Sequence, residues 1–136
     1  MTVFVDTSAI LAVLDAGDRN HLAAAREWRR MNEERMPRVT SSLVVVETFA
    51  LVQRRAGVAA VRTLNDVLMP VIDVIWLGGE EYAAAVDAVL PANRRNLSIV
   101  DCASFALARR LRVEAVFAFD EQFAEQGFVC VPSTPG

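Results

Sequence analysis

Five short β-branched or aromatic runs, each followed or preceded by a segment of helical period, are what most restricts the folds open to this chain. The runs are TVFV at 2–5, RVT at 38–40, PVIDVIWL at 70–77, AVFAF at 115–119 and FVCV at 128–131. Between them lie SAILAVL, the arginine-rich NHLAAAREWRRMNEER, a helix through Glu47 reaching about Arg55, GVAAVRTLNDVL opened by Gly57, EEYAAAVDAVL, a helix from Ser98 to about Arg110, and the helical turn DEQFAEQ. Strands that alternate with helices pair in parallel, and a parallel sheet needs helices on both faces. Ligands of such sheets sit beyond the carboxyl ends of the strands.

One domain spanning 1–136 accounts for the length, with PANRRN at 91–96 as the only obvious linker and no internal repeat. The chain is 54% hydrophobic with mean hydropathy +0.30, yet no apolar run approaches the ~20 residues of a membrane span. The excess points to a well-filled core and an exposed oligomer surface. MTVFVDTSAI has no signal-peptide pattern, so the expected location is cytoplasmic. Cys102 and Cys130 make no disulfide framework, and with His21 the only histidine no Cys/His zinc cluster can form. A metal site here would use oxygen ligands.

The segment LVVVETFALV at 43–52 carries a lone carboxylate, Glu47, among apolar residues. A helical or an extended period both place Glu47 on an apolar face, where an ionised carboxylate needs a partner, a proton or a cation. Glu47 lies too deep in its helix to cap it and has no arginine three or four positions away. Three further acids stand at informative places. Asp6 follows TVFV and Asp120 is next after AVFAF, so both leave the same edge of the sheet; each also suits the N-cap of the helix that follows. Asp101, three residues after Ser98, fits a capping box and also lies on the apolar side of its helix.

Clustered carboxylates repel one another unless a cation joins them. Four of them make a candidate site for Mg²⁺ or Mn²⁺, which can activate water and stabilise a leaving oxygen at a phosphodiester. All fourteen basic residues are arginine, and counting the four acids as neutralised changes the net charge from −3 to +1. A polyanionic partner is then compatible with the remaining surface.

VDTSA, ETFALVQRRAG, LSIVDCASFALARR and FAFDEQFAEQGF, in that order, resemble the PIN-domain ribonucleases, in particular the VapC-like toxins of toxin–antitoxin pairs. The resemblance covers nearly the whole chain. It implies a three-layer α/β/α sandwich with a central, mostly parallel sheet, and a Mg²⁺- or Mn²⁺-dependent endoribonuclease. It also implies catalytic and metal-binding roles for Asp6, Glu47, Asp101 and Asp120, with Thr7, Ser8 and Ser98 supporting them. A homodimer and a small antitoxin whose C-terminal segment enters the groove are expected partners alongside the RNA substrate. Two departures from the common pattern, Ala118 two residues before the last acid and Cys102 after the third, remove no carboxylate.

Arg54, Arg94 and Arg95 are candidate RNA contacts, while Arg26, Arg29 and Arg30 with Trp28 read as an alternating-charge exposed helix. Trp76 and Cys102 read as core residues. Two other functions compete with RNA hydrolysis: a non-catalytic RNA- or protein-binding module of the same fold, and a Mg²⁺-binding phosphoacceptor domain. The absence of lysine argues against the latter.

Overall fold

A computed structural model of the chain describes residues 1–133. The elements run β1 (Val3–Val5), α1 (Thr7–Leu14), α2 (His21–Glu33), β2 (Arg38–Ser41), α3 (Ser42–Ala56), α4 (Val58–Thr63), β3 (Asp73–Ile75), α5 (Gly79–Ala92), α6 (Ile99–Arg110), β4 (Ala115–Phe117), α7 (Glu121–Glu125) and β5 (Cys130–Val131). The strands form one sheet in the order β3-β2-β1-β4-β5, and every pairing is parallel.

The period of two along the strands divides the core into two layers. Val3 and Val5 with Phe117 face one side, against Ile10, Trp28, Met31 and Leu64. Phe4 and Val116 face the other, against Val44, Phe105 and Phe123. The result is the expected three-layer α/β/α arrangement. Because β1 and β4 pair with Val5 opposite Phe117, the residues after them emerge together at the carboxyl edge.

Several boundaries differ from those the sequence suggests, each for a local reason. The 70–77 run is a strand only at Asp73–Ile75, because Met69–Val71 forms a 3-10 turn around Pro70. The helix opened by Gly57 breaks at Leu64, where Leu64–Leu68 forms a π-helical turn that keeps Leu64 and Leu68 buried. Pro91 lies inside α5 rather than in a linker, and the helix stops at Asn93 in the left-handed conformation. The last strand shortens to Cys130–Val131.

Trp76 is 77% exposed and is not a core residue, since it lies just beyond the end of β3. Trp28 shows the opposite error: it is buried on Phe117, with Arg38 stacked over its ring, so only part of α2 is solvated. Cys102 is buried, as expected of a small core residue.

Candidate active site

Asp6 and Asp120 both act as N-caps. Asp6 Oδ2 accepts the Ser8 backbone N–H at 3.1 Å and the Ser8 hydroxyl at 2.6 Å. Asp120 Oδ1 accepts the Gln122 N–H at 3.0 Å. The capping and site alternatives are therefore not exclusive, because the cap engages Asp6 Oδ2 and leaves Oδ1, while at Asp120 a long 3.5 Å contact from Gln122 Nε2 is all that meets the second oxygen. Asp101 follows the same rule: its Oδ2 accepts the Ser98 N–H while Ser98 Oγ accepts the Asp101 N–H, both at 3.0 Å.

Glu47 reaches the same place by a different route. Ser41 caps α3 through the Val44 N–H, and the helix lays Val44, Thr48 and Val52 into the interior. Thr48 Oγ1 and Thr7 Oγ1 lie 3.0 Å apart in a buried hydrogen bond that fastens α3 to the start of α1. Glu47, next to Thr48, is half-buried rather than embedded in the apolar face, and its carboxylate borders a cavity.

That cavity, about 340 Å³, brings the four predicted acids together: Asp6, Glu47, Asp101 and Asp120 all line it, with Thr7 and Ser8. Ser98 does not line it, since its hydroxyl is turned to the Asp101 backbone. Nor does Arg54. Arg55 lines the cavity instead, continuing the Thr48–Val52 stripe that packs toward α1. Arg94 and Arg95 border a separate depression near the α5 terminus, and Arg94 lies 3.6 Å from Glu125. Asp18, Asn20 and Phe119 also line the acid cavity. Nothing in the pattern around GDRN marks Asp18 and Asn20 beforehand, as their position depends on how the α1–α2 loop folds over the sheet edge, whereas Phe119 comes from the turn after β4, directly before Asp120.

Burial disfavours the charged form of Asp6, Glu47 and Asp101. Asp6 is pushed up to about 6, chiefly by burial and further by Asp101 and Asp120, while the two Ser8 hydrogen bonds hold it down. Glu47 is raised by burial and by Asp101, with the Thr7 hydroxyl opposing. Asp101 is raised by burial and by Asp120 against the hold of Ser98. Gln122 couples two of these positions, because the residue whose N–H Asp120 accepts also donates its Nε2–H to the Asn96 carbonyl at 2.6 Å, just before Ser98.

The donor chemistry fits a hard divalent cation. No histidine or cysteine lines the cavity, and Oδ1 of Asp6 and of Asp101 has no protein donor among the described residues. Among the described residues no three His, Cys, Asp or Glu side chains are grouped closely enough to form a ligand cage by themselves. A Mg²⁺ ion held here would take one or two of the carboxylates and keep several waters.

A parallel three-layer sheet with four carboxylates at its carboxyl edge, and a single arginine among them, defines an α/β/α protein whose acidic pocket suits oxygen-bound cations. The chain belongs to the PIN domain family, whose description matches residues 3–129. It is similar to the 23S rRNA-specific endonuclease VapC20 of Mycobacterium tuberculosis, 35% identical over 128 residues that cover 93% of this chain and 95% of the relative. Ribonuclease VapC26 of the same species is 30% identical over 121 residues, covering 88% of this chain and 87% of the relative. The crystal structure of Mycobacterium tuberculosis VapC20, described as a Sarcin-Ricin loop cleaving toxin, superimposes with a TM-score of 0.80 at 32% identity, over 93% of this chain and 96% of that one. No helix among the described residues is long and apolar enough to cross a membrane.

Proposed function

We propose that the chain is an endoribonuclease that depends on Mg²⁺ or Mn²⁺ and serves as the toxin of a toxin–antitoxin pair in the cytoplasm. The observation that carries this reading is Asp6: a buried carboxylate, raised to about 6, without an ion-pair partner among the described residues and sharing its cavity with four other acids, Asp18, Glu47, Asp101 and Asp120. A protein retains such an arrangement at a cost in stability, and a bound cation reverses that cost.

Each residue has a definable task. Ser8 holds Asp6 Oδ2 and leaves Oδ1 to the cavity. Ser98 does the same for Asp101, and Thr7 with Thr48 fixes the part of α3 that presents Glu47. Asp120, oriented by Gln122, completes the acidic wall. Arg55 offers the cavity's guanidinium to a phosphate oxygen. When bound, the cation supplies a water of lowered pKa and stabilises charge at the phosphodiester.

The identity to a 23S rRNA-specific endonuclease makes ribosomal RNA the first substrate to test. The expected result is discrete cleavage by antitoxin-free protein with Mg²⁺ or Mn²⁺, lost with EDTA and lost in Asp101→Asn. Failure of the wild-type protein to cut any ribosomal or total RNA pool, or equal cutting by Asp101→Asn, would overturn the reading. The same proposal includes a small antitoxin and a homodimer, the latter checked by light scattering against a 14.9 kDa protomer.

A further inference from the structure

The four carboxylates do not by themselves distinguish RNA from DNA. A cation-bound water attacks phosphorus without help from a 2′-hydroxyl, so a site made only of these acids treats the two phosphodiesters alike. Preference for RNA needs a further group that reads the ribose, because the 2′-hydroxyl is what separates the two polymers.

The cavity leaves few groups free for that task. The Thr7 hydroxyl is engaged with Thr48, and the Ser8 hydroxyl is shared between Asp6 and the Phe119 N–H. Arg55 is a cation and suits a phosphate oxygen. Asp18 and Asn20, from the loop between α1 and α2, remain. Asp18 Oδ1 accepts the Asn20 N–H at 2.8 Å, and its other oxygen has no protein donor among the described residues. Asn20 stands at the N-cap of α2, where an Asn side chain ordinarily accepts from the first helical turn. Here it makes no such bond, and its carboxamide lines the acid cavity half-buried and without a partner among the described residues.

The loop that presents this pair is firmly held. Asp15 Oδ1 accepts the Gly17 N–H at 2.9 Å, the Asp18 N–H donates to the Asp15 carbonyl at 3.0 Å, and His21 Nδ1 donates to the Ala12 carbonyl at 2.8 Å. Arg19, between the two residues, lines the neighbouring cavity instead. At this wall the loop therefore offers a carboxylate and an amide but no positive charge. Such a pair disfavours a phosphate and suits a neutral hydroxyl, which donates to the carboxylate and accepts from the amide N–H.

We infer that Asp18 and Asn20 bind the 2′-hydroxyl of a nucleotide at the scissile bond and thereby give the site its preference for RNA. The inference rests on the ribonuclease reading and adds to it the residues that read the sugar.

The test measures kcat/KM on a ribosomal RNA fragment that the wild type cuts, and on the same fragment with a single 2′-deoxynucleotide on one side or the other of the cleaved bond. Wild type loses about tenfold on one of the two deoxy fragments. Asn20→Ala loses about tenfold on the all-ribose fragment and cuts that fragment and its deoxy counterpart within about twofold of each other. Asp18→Asn, which still accepts the Asn20 N–H, shows the same narrowed ratio while its Mn²⁺ affinity stays within about twofold of wild type. Because each ratio is taken within one protein, a smaller folded fraction does not change it. Equal cutting of all three fragments by wild type, or a wild-type ratio in both variants, overturns the inference. Loss of Mn²⁺ affinity in Asp18→Asn as large as in Asp101→Asn overturns it for Asp18 and makes that residue a cation ligand. Failure of the nuclease reading is distinct, because there the wild type cuts no RNA at all.

Discussion

The Ser8 hydroxyl donates to Asp6 Oδ2 at 2.6 Å and by that bond opposes the burial that drives the Asp6 carboxyl toward its neutral form. Removing it in Ser8→Ala shifts the balance further toward the protonated acid, since a hydrogen bond to a charged group contributes about 1.5–3 kcal/mol. In a pH–rate profile at sub-saturating Mn²⁺, the acidic limb of the variant therefore moves to higher pH and its activity near neutrality falls several-fold. An acidic limb that stays in place would dissociate Ser8 from the titration of the site.

Asp6 also makes a prediction about stability. Its native pKa of about 6 exceeds the ordinary 3.8, so the folded state binds the proton more tightly than the unfolded state. The resulting stabilisation is complete below pH 3.8 and is lost as pH rises through about 6, a change of about 3 kcal/mol. In the absence of divalent cations Asp6→Asn, which still caps α1, should therefore be more stable than wild type at pH 7.5, with Tm higher by roughly 3–10 °C. Mn²⁺ should raise the wild-type Tm and leave that of the variant nearly unchanged. Scanning calorimetry at the two pH values, with and without Mn²⁺, checks both statements.

The Thr7–Thr48 hydrogen bond joins the two helices that carry Asp6's neighbours and Glu47. Thr48→Val keeps the volume of the side chain but removes the buried hydrogen bond between the two helices, at a cost of about 0.5–1.5 kcal/mol. Urea unfolding should show that loss, and RNA cleavage should fall at saturating substrate because α3 no longer holds Glu47 in place. Full activity at reduced stability would show that Glu47 is positioned by other contacts.

Trp76 is exposed beyond β3, so Trp76→Ser should alter unfolding free energy by less than about 0.5 kcal/mol. Trp28→Leu, which empties space against Phe117 and takes the ring from under Arg38, should cost several times more. Equal losses in urea titrations of the two variants would contradict the burial assigned to them.

The contrast between the two tryptophans shows what was legible in the sequence. The strand–helix alternation was readable because local period determines which residues can share a face, and it led directly to the parallel sheet and its carboxyl edge. Asp6, Asp101 and Asp120 were readable as acids at element boundaries, since both a cap and a site put an acid there. Glu47 stood out by its cost among apolar neighbours. Which arginine reaches the cavity was not readable: the helical wheel favours Arg54, while the packing of Thr48 and Val52 toward α1 brings in Arg55. Trp28 and Trp76 differ through tertiary covering alone, one under the sheet and one past the end of a strand that Pro70 shortens. Asp18 and Asn20 enter the site through the course of a loop, which no periodicity encodes.

The central claim is that the four carboxylates line one cavity that binds a divalent cation. Isothermal titration of Mn²⁺ into antitoxin-free wild type, Asp6→Asn and Asp101→Asn at pH 7.5 tests it most directly. The account predicts measurable binding to wild type and at least tenfold weaker binding to each variant, with wild-type affinity falling when the pH is lowered to 5. Mn²⁺ affinity that is the same in all three proteins, or absent from all of them, would contradict it.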